Sequence, residues 1–484
     1  MFLDRKKELT DLMTILSKKE TSLINIYGRR RIGKTTLLKE LLLRIKSDIK
    51  AIYFVFYEGG SELQLHQFLE VIREQFPDDK ALQTLTASSW KDVFTFLFML
   101  DIPLVVILDE FPYIVETEPS IPSIIQNLWD EYNGRSSLQI ILCGSSISVM
   151  KDLMGSKQPL YGRFTHSTPI EMIGFNEVRL FHPESTFLTQ VYAYLIFGGI
   201  PYYHQKLKFK TLDELLESIF SVLTVFRDEI TITIGMSAQN IVNYFGIIYA
   251  ISQRKHTYSK IEQATKISSN LTYYLNNLIQ IGLVERKESF SHGGKSKVTR
   301  YALSDRFTAF WFNFFYTKER QLTLLPPKNF IESLVRPQLD EFLSFPFEDF
   351  CHHVTTILSL NGYFSEPIFS ITSASGVFQE SGSNEKKDYE IDIIGEGLQK
   401  KILIIGECKW TNTVSEWDIK EFIRYKSYFD IQFSSFVDRF ENVKLVFFSK
   451  NRIDESLKEK YADIDFIDMV KLERELDKIN SEDS

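Results

Sequence analysis

Cysteine is scarce in this chain. Only three of its 484 residues are Cys, at positions 143, 351 and 408. They lie too far apart for a metal-ligand spacing or a disulfide framework, and an odd, sparse set fits a reducing compartment. A surplus of positive charge is also lacking. Fifty-six Lys and Arg stand against 64 Asp and Glu, a formal net charge of −8. That excludes a general basic coat while leaving room for one local basic surface. Long apolar runs are missing too. The N-terminal MFLDRKKELTDL is charged from its fourth residue and carries no signal segment. The longest apolar stretches, such as residues 102–108 and 402–405, fall far short of the roughly 20 residues needed to cross a bilayer. A cytoplasmic protein with no membrane segment is expected.

The remaining composition is that of a folded protein. Hydrophobic residues make up 44% and charged residues 25%, which excludes a largely disordered chain. Forty Phe and 22 Tyr imply bulky aromatic cores. The length calls for about two to four domains.

Chemistry enters early. Ser22–Tyr27 reads as a buried strand and leads into Gly28-Arg29-Arg30-Arg31-Ile32-Gly33-Lys34-Thr35, followed by the helical pattern Thr36-Leu37-Leu38-Lys39-Glu40-Leu41. This is G-x-x-x-x-G-K-T in a strand–loop–helix setting. Gly28 and Gly33 let the backbone of 28–36 wrap phosphate oxygens with its N–H groups. Lys34 should reach the outer phosphates and Thr35 should hold Mg²⁺, while the helix N-terminus adds favourable partial charge. Residues 104–108 form an unbroken apolar run ending in Asp109-Glu110, as a buried parallel strand would. Asp109 then suits the Mg²⁺ shell, and Glu110 is placed to orient or activate the attacking water. Further strands are expected at 51–56 and 138–143. Ser145 or Ser146 would either sense the outermost phosphate or cap the next helix.

The stretches FLDRKKEL, INIYGRRRIGKTTLL, VVILDEFPYI, ILCGSSISVM, PLYGRFT and GGIPYY together resemble the archaeal-type ATPase family, in the STAND branch of the AAA+-like P-loop ATPases. The resemblance covers about residues 1–235. It implies ATP as the nucleotide, with Asp4-Arg5 near the adenine and Arg163 approaching the phosphates to stabilise charge during transfer. It also implies that Pro201 marks a helical lid beside the base. A surface ion pair is the competing reading of Arg163.

From residue 241 the pattern becomes three short helices followed by two strands around Ser291-His292-Gly293-Gly294, a hairpin signal. This reads as a winged helix-turn-helix. Across 254–300 nine Lys and Arg face three Glu, a local footprint for DNA. Tyr273, Tyr274 and Asn277 on the third helix, with Lys295, Lys297 and Arg300 in the wing, would make the contacts. The alternative is a pure connector. The aromatic run 306–316 suits buried packing.

In the last third, 344–360 reads as a helix containing Glu348. A polar loop around 381–384 precedes the alternating strand 389–394 and then Ile402–Lys409. If the two strands are neighbours, Asp392, Glu407 and Lys409 converge. Asp392 and Glu407 would hold Mg²⁺, with Lys409 positioning or deprotonating water. The arrangement resembles the PD-(D/E)xK nucleases, a resemblance that implies Glu348 as a further metal-binding acid, and EIDII…IIGECKW is similar to the domain of unknown function often fused behind archaeal-type ATPases.

The expected fold is multidomain α/β. It comprises a P-loop core with a parallel sheet (1–165), a helical lid (166–237), a winged helix (238–305), an aromatic connector (306–340) and a restriction-endonuclease-like domain (341–475). The expected activity couples ATP hydrolysis to DNA binding and Mg²⁺-dependent phosphodiester cleavage. The alternative is a signalling switch whose C-terminal domain binds without cutting. Homo-oligomerisation is left open.

Overall fold

The computed structural model describes residues 5–46, 48–78, 83, 87–100, 102–223, 226–227, 241–288, 290, 299–379 and 385–482. Asp4, Lys295, Lys297, the 291–294 turn and the 381–384 loop lie outside the described residues. The chain divides into two compact units. One comprises 1–173, 199–205 and 280–282, and the other 174–198, 206–279 and 283–484.

The first unit is built on a five-stranded parallel sheet in the order β2-β3-β4-β1-β5. Its strands are β1 (Ser22–Tyr27), β2 (Lys50–Val55), β3 (Leu104–Asp109), β4 (Leu138–Gly144) and β5 (His166–Pro169). Every residue of β1, β3 and β4 is buried, because helices cover both faces of a parallel sheet. Strand alternation divides the apolar side chains between two cores. Leu104, Val106 and Leu108 join Phe54, Phe68 and Trp90 on one face, while Val105 and Ile107 join Leu9, Ile24 and Leu37 on the other.

The second unit carries a mixed sheet in the order β12-β11-β10-β9-β8. Its strands are β8 (Ile368–Gln379), β9 (Lys386–Gly397), β10 (Ile402–Lys409), β11 (Asn442–Ser449) and β12 (Ile464–Asp468). β9 is antiparallel to both β8 and β10, whereas β10, β11 and β12 run parallel. The long helix Arg336–Leu360 begins earlier than its sequence pattern suggests and contains Pro346. Three helices, Ile241–Ser252, Tyr258–Thr265 and Leu271–Gln280, precede the antiparallel pair β6 (Val284–Glu288) and β7 (Thr299–Leu303). The aromatic helix Arg306–Phe314 buries Phe307, Phe310, Phe312 and Phe314 completely. Among the described residues no helix is long and apolar enough to cross a membrane.

Candidate functional site: a phosphate-binding loop and a carboxylate centre

The loop after β1 owes its shape to two glycines and one arginine. A Cβ on Gly28 would lie 2.3 Å from the Ile170 carbonyl oxygen, so no larger residue fits there. Gly33 (φ +92°) and Arg31 (φ +68°) both adopt left-handed backbone, and this turns successive N–H groups toward one concavity. The helix Lys34–Arg44 starts directly from this turn.

A cavity of about 290 Å³ opens at the loop. Arg30, Arg31, Gly33, Lys34, Thr35 and Thr36 form its floor. Glu110, Pro201, Tyr202 and Gln205 contribute its walls. Arg31 stacks on the Tyr202 ring at 4.5 Å, a contact the sequence did not signal. Lys34 is 6% exposed, and its ammonium donates to the carbonyls of Gly28 (2.8 Å) and Arg29 (2.9 Å). Burial holds its pKa below the ordinary lysine value.

Asp109 collects three donors. Thr35 Oγ1 and Tyr53 OH each lie 2.9 Å from its Oδ2, and the Glu110 N–H reaches its Oδ1 at 2.9 Å. Burial and the Asp109 charge push the Tyr53 phenol well up, so it remains a donor. Sequence reasoning missed Tyr53; the neighbouring pairing of β2 with β3 brings it there. Glu110, itself in left-handed backbone at φ +52°, accepts from the Ser145 hydroxyl at 2.9 Å. Ser145 therefore bonds to Glu110, and the Ser146 side chain makes no capping bond to its helix. The hard oxygen donors of Thr35 and Asp109 suit Mg²⁺, completed by water and phosphate oxygens.

The structure also places two residues that the resemblance names. Arg163 does not line the cavity. Its guanidinium grips Asp130 through two bonds of 2.9 and 2.8 Å at the surface, the ion-pair alternative. Arg5 turns its side chain onto the carbonyls of Ile32 (3.0 Å) and Glu171, and so braces the loop from outside.

In the second unit, antiparallel pairing of Gly406 with Ile393 brings Asp392 and Glu407 opposite each other at the next step. Asp392 Oδ2 accepts the Cys408 N–H at 2.8 Å, and His352 Nε2 meets the Asp392 carbonyl at 2.6 Å. Glu407 Oε1 lies 2.6 Å from Lys409 Nζ, while its Oε2 is buried with no hydrogen-bond partner. Burial, reinforced by neighbouring carboxylates, raises the pKa values of Asp392 and Glu407. Burial and the charges of Glu390, Asp349 and Glu407 push Glu348 up to about 8. Burial opposes the charge of Lys409, yet Glu407 prevails and raises it.

One expectation needs correcting. Among the described residues no group of three or more His, Cys, Asp or Glu side chains is disposed to hold a metal ion. Glu348 is thus not gathered with Asp392 and Glu407 into a ligand triad, because Glu407 turns to Lys409 and Asp392 to a backbone N–H. The unpartnered Glu407 oxygen beside Asp392 still fits a cation held by two carboxylates with water and substrate oxygens, a common mode for Mg²⁺.

The residues expected to touch DNA also need revision. Tyr274 is buried and accepts from Asn243, and Asn277 donates inward to Tyr244 at 2.8 Å. Arg300 faces Ser375 (3.1 Å) and Glu390 (3.6 Å). Tyr273 alone of those described is strongly exposed without such a bond, at 60%.

Residues 2–207 match a family described as an ATPase domain predominantly from Archaea. Residues 311–422 match a family of archaeal and bacterial proteins of unknown function. An uncharacterized protein of Methanocaldococcus jannaschii is 28% identical over 426 residues, 88% of this chain and 90% of its own. An uncharacterized ATP-binding protein of the same organism is 48% identical over 53 residues, 11% of this chain and 90% of its own. Among solved structures, a Walker-type ATPase of Pyrococcus abyssi aligns with TM-score 0.51 and 18% identity. That alignment covers 64% of this chain and 96% of the other, a likeness of fold.

Proposed function

We propose, for a chain that carries an archaeal-type ATPase domain and a C-terminal domain of the second family, that it binds and hydrolyses ATP and couples the nucleotide state to Mg²⁺-dependent cleavage of DNA. The observation that carries the hydrolytic half is the 2.9 Å bond between Thr35 and Asp109 beside buried Lys34. Lys34 takes the outer phosphates, the 28–36 backbone cradles them, and Thr35 with Asp109 would hold Mg²⁺. The ion, when bound, neutralises charge on the phosphate oxygens. Glu110 orients the attacking water and accepts its proton. Arg163 would act on the phosphates only after leaving Asp130.

The cleavage half rests on Asp392, Glu407 and Lys409 on adjoining strands. The two acids would hold Mg²⁺, which would supply Lewis acidity to the scissile phosphate. Lys409 positions the water. The three helices with β6 and β7, read as a winged helix, would bring DNA to this domain. In this reading residues 1–165 act as core, 166–237 as lid, 238–305 as winged helix, 306–340 as connector and 341–475 as nuclease-like domain.

The test incubates the full-length protein with DNA and Mg²⁺, with and without ATP. Cutting that depends on ATP and is lost in both Asp392→Ala and Lys409→Ala is expected. Cutting that survives these changes removes the nuclease reading. One observation favours a second reading, a STAND-type switch whose C-terminal domain binds without cutting: Lys409 is held on Glu407 at 2.6 Å. DNA retention without cleavage in the same assay selects it.

A further inference from the structure

The second unit contains a cavity of about 420 Å³, within the range of small-ligand sites, roughly 300–1,000 Å³. ATP hydrolysis does not use it, but Glu348 and Glu390 beside the carboxylate centre line it together with Arg300. A ligand here therefore rests partly on the cleavage reading, and binding without cutting keeps the two tests apart.

Four cations, Arg254, Lys287, Arg300 and Arg306, line it with three acids, Glu348, Asp349 and Glu390. Lys287 is matched by Asp349 at 2.6 Å, and Arg300 lies 3.6 Å from Glu390. Arg306 has no such match. Its guanidinium meets the Tyr194 carbonyl at 3.2 Å and the Tyr194 ring at 4.7 Å, and among the described residues no carboxylate lies within ion-pair distance of it. Arg254 adds a further positive charge, and its acid, Glu341, is 74% exposed.

Part of the lining is aromatic and aliphatic. Arg254 stacks on the Phe345 ring at 4.4 Å, and Phe342 and Ile251 face the same space. Pro346 has no N–H, so the helix Arg336–Leu360 gives the Phe342 carbonyl no i+4 donor at this point. Guanidinium groups favour bidentate contact with phosphate, and an arginine–aromatic stack accepts a further planar ring.

We propose that this cavity binds a nucleoside 5′-monophosphate unit, either free or at the end of a strand. The phosphate lies on Arg300 and Arg306, and the base extends the Arg254–Phe345 stack. A monophosphate lacks the outer phosphates that Lys34 would take, so it reports on this cavity and not on the phosphate-binding loop.

Equilibrium dialysis of the full-length chain tests this with labelled UMP, a 5′-phosphorylated tetranucleotide, and uridine as control. Saturable binding of one UMP or one tetranucleotide per chain is expected, with uridine much weaker. Binding of both probes identifies a free nucleotide as an accepted source, and binding of the tetranucleotide alone identifies a strand end. Arg300→Ala and Arg306→Ala should each weaken binding by about tenfold or more. Ala309→Phe, which fills the cavity without removing charge, should abolish binding while thermal melting stays cooperative. It decides the matter if Arg306→Ala does not fold. No saturable binding of either probe, uridine binding equal to UMP, or Ala309→Phe binding like the parent protein overturns the proposal.

Discussion

The phosphate-binding loop and the carboxylate centre both assemble acids beside a lysine, yet they balance charge in opposite ways. Asp109 is surrounded by donors: a hydroxyl, a phenol and a backbone N–H all reach it. The Lys34 ammonium is likewise bonded to two carbonyls. At the second centre Asp392 accepts one backbone N–H, Glu407 keeps a buried oxygen unpartnered, and burial, reinforced by neighbouring carboxylates, raises the pKa of Glu348, Asp392 and Glu407. The first centre is satisfied by the protein itself. The second gathers more carboxyl groups than Lys409 can pair, and burying them in charged form is costly.

The widest separation between the two should appear in turnover. Glu110→Gln is expected to slow ATP hydrolysis by about 10²–10⁴-fold with nucleotide affinity retained, measured by phosphate release and by binding of a fluorescent ATP analogue. Lys34→Ala should weaken that binding by about a hundredfold, since charge-assisted bonds of roughly 1.5–3 kcal/mol each are lost. Intact affinity would undo the reading of the first centre.

The second centre should respond to cation more than to any single side chain. Mg²⁺ should raise the thermal midpoint of the parent protein at pH 8, and Asp392→Asn should reduce the gain by roughly half or more through weaker binding. Equal gains in both would break the contrast.

Glu348 supplies a smaller test in metal-free buffer. Its folded pKa of about 8 exceeds the ordinary 4.5, so the folded state keeps the proton longer. Its contribution to stability is full below about 4.5 and is lost as pH rises through 8. Glu348→Gln should therefore raise the denaturation midpoint at pH 8 and leave it nearly unchanged at pH 5. The smallest effect belongs to Tyr53→Phe, which removes one donor from Asp109. It should cost about 0.5–1.5 kcal/mol of stability, read by urea unfolding.

How legible each region was follows from the same chemistry. β1 and β10 begin and end where the apolar pattern places them, because strands buried on both faces leave continuous apolar runs. The loop at 28–35 is equally readable, since its glycines answer to backbone geometry. β8 escaped notice: its burial is mixed along its length, so no clean alternation marks it. The start of the helix Arg336–Leu360 was hidden by Pro337, which suits a first helical turn but reads as a break. Direction was the hardest feature to infer. A helical pattern places Tyr274 and Asn277 near one surface, but only tertiary packing turns their polar atoms onto Asn243 and Tyr244. Likewise, nothing local marks Tyr53 as a partner of Asp109, or the Arg163 guanidinium as bound to Asp130.

The two carbonyl bonds of Lys34 have one more consequence. Any ligand that takes this ammonium must outbid Gly28 and Arg29, so recognition is an exchange and not a simple gain. A neutral nucleoside has nothing to trade and a lone phosphate little, whereas the tail of a triphosphate offers more charge than two peptide oxygens. Discrimination among nucleotides by the length of their phosphate chain would then arise from rivalry with the protein's own backbone, without any steric gate.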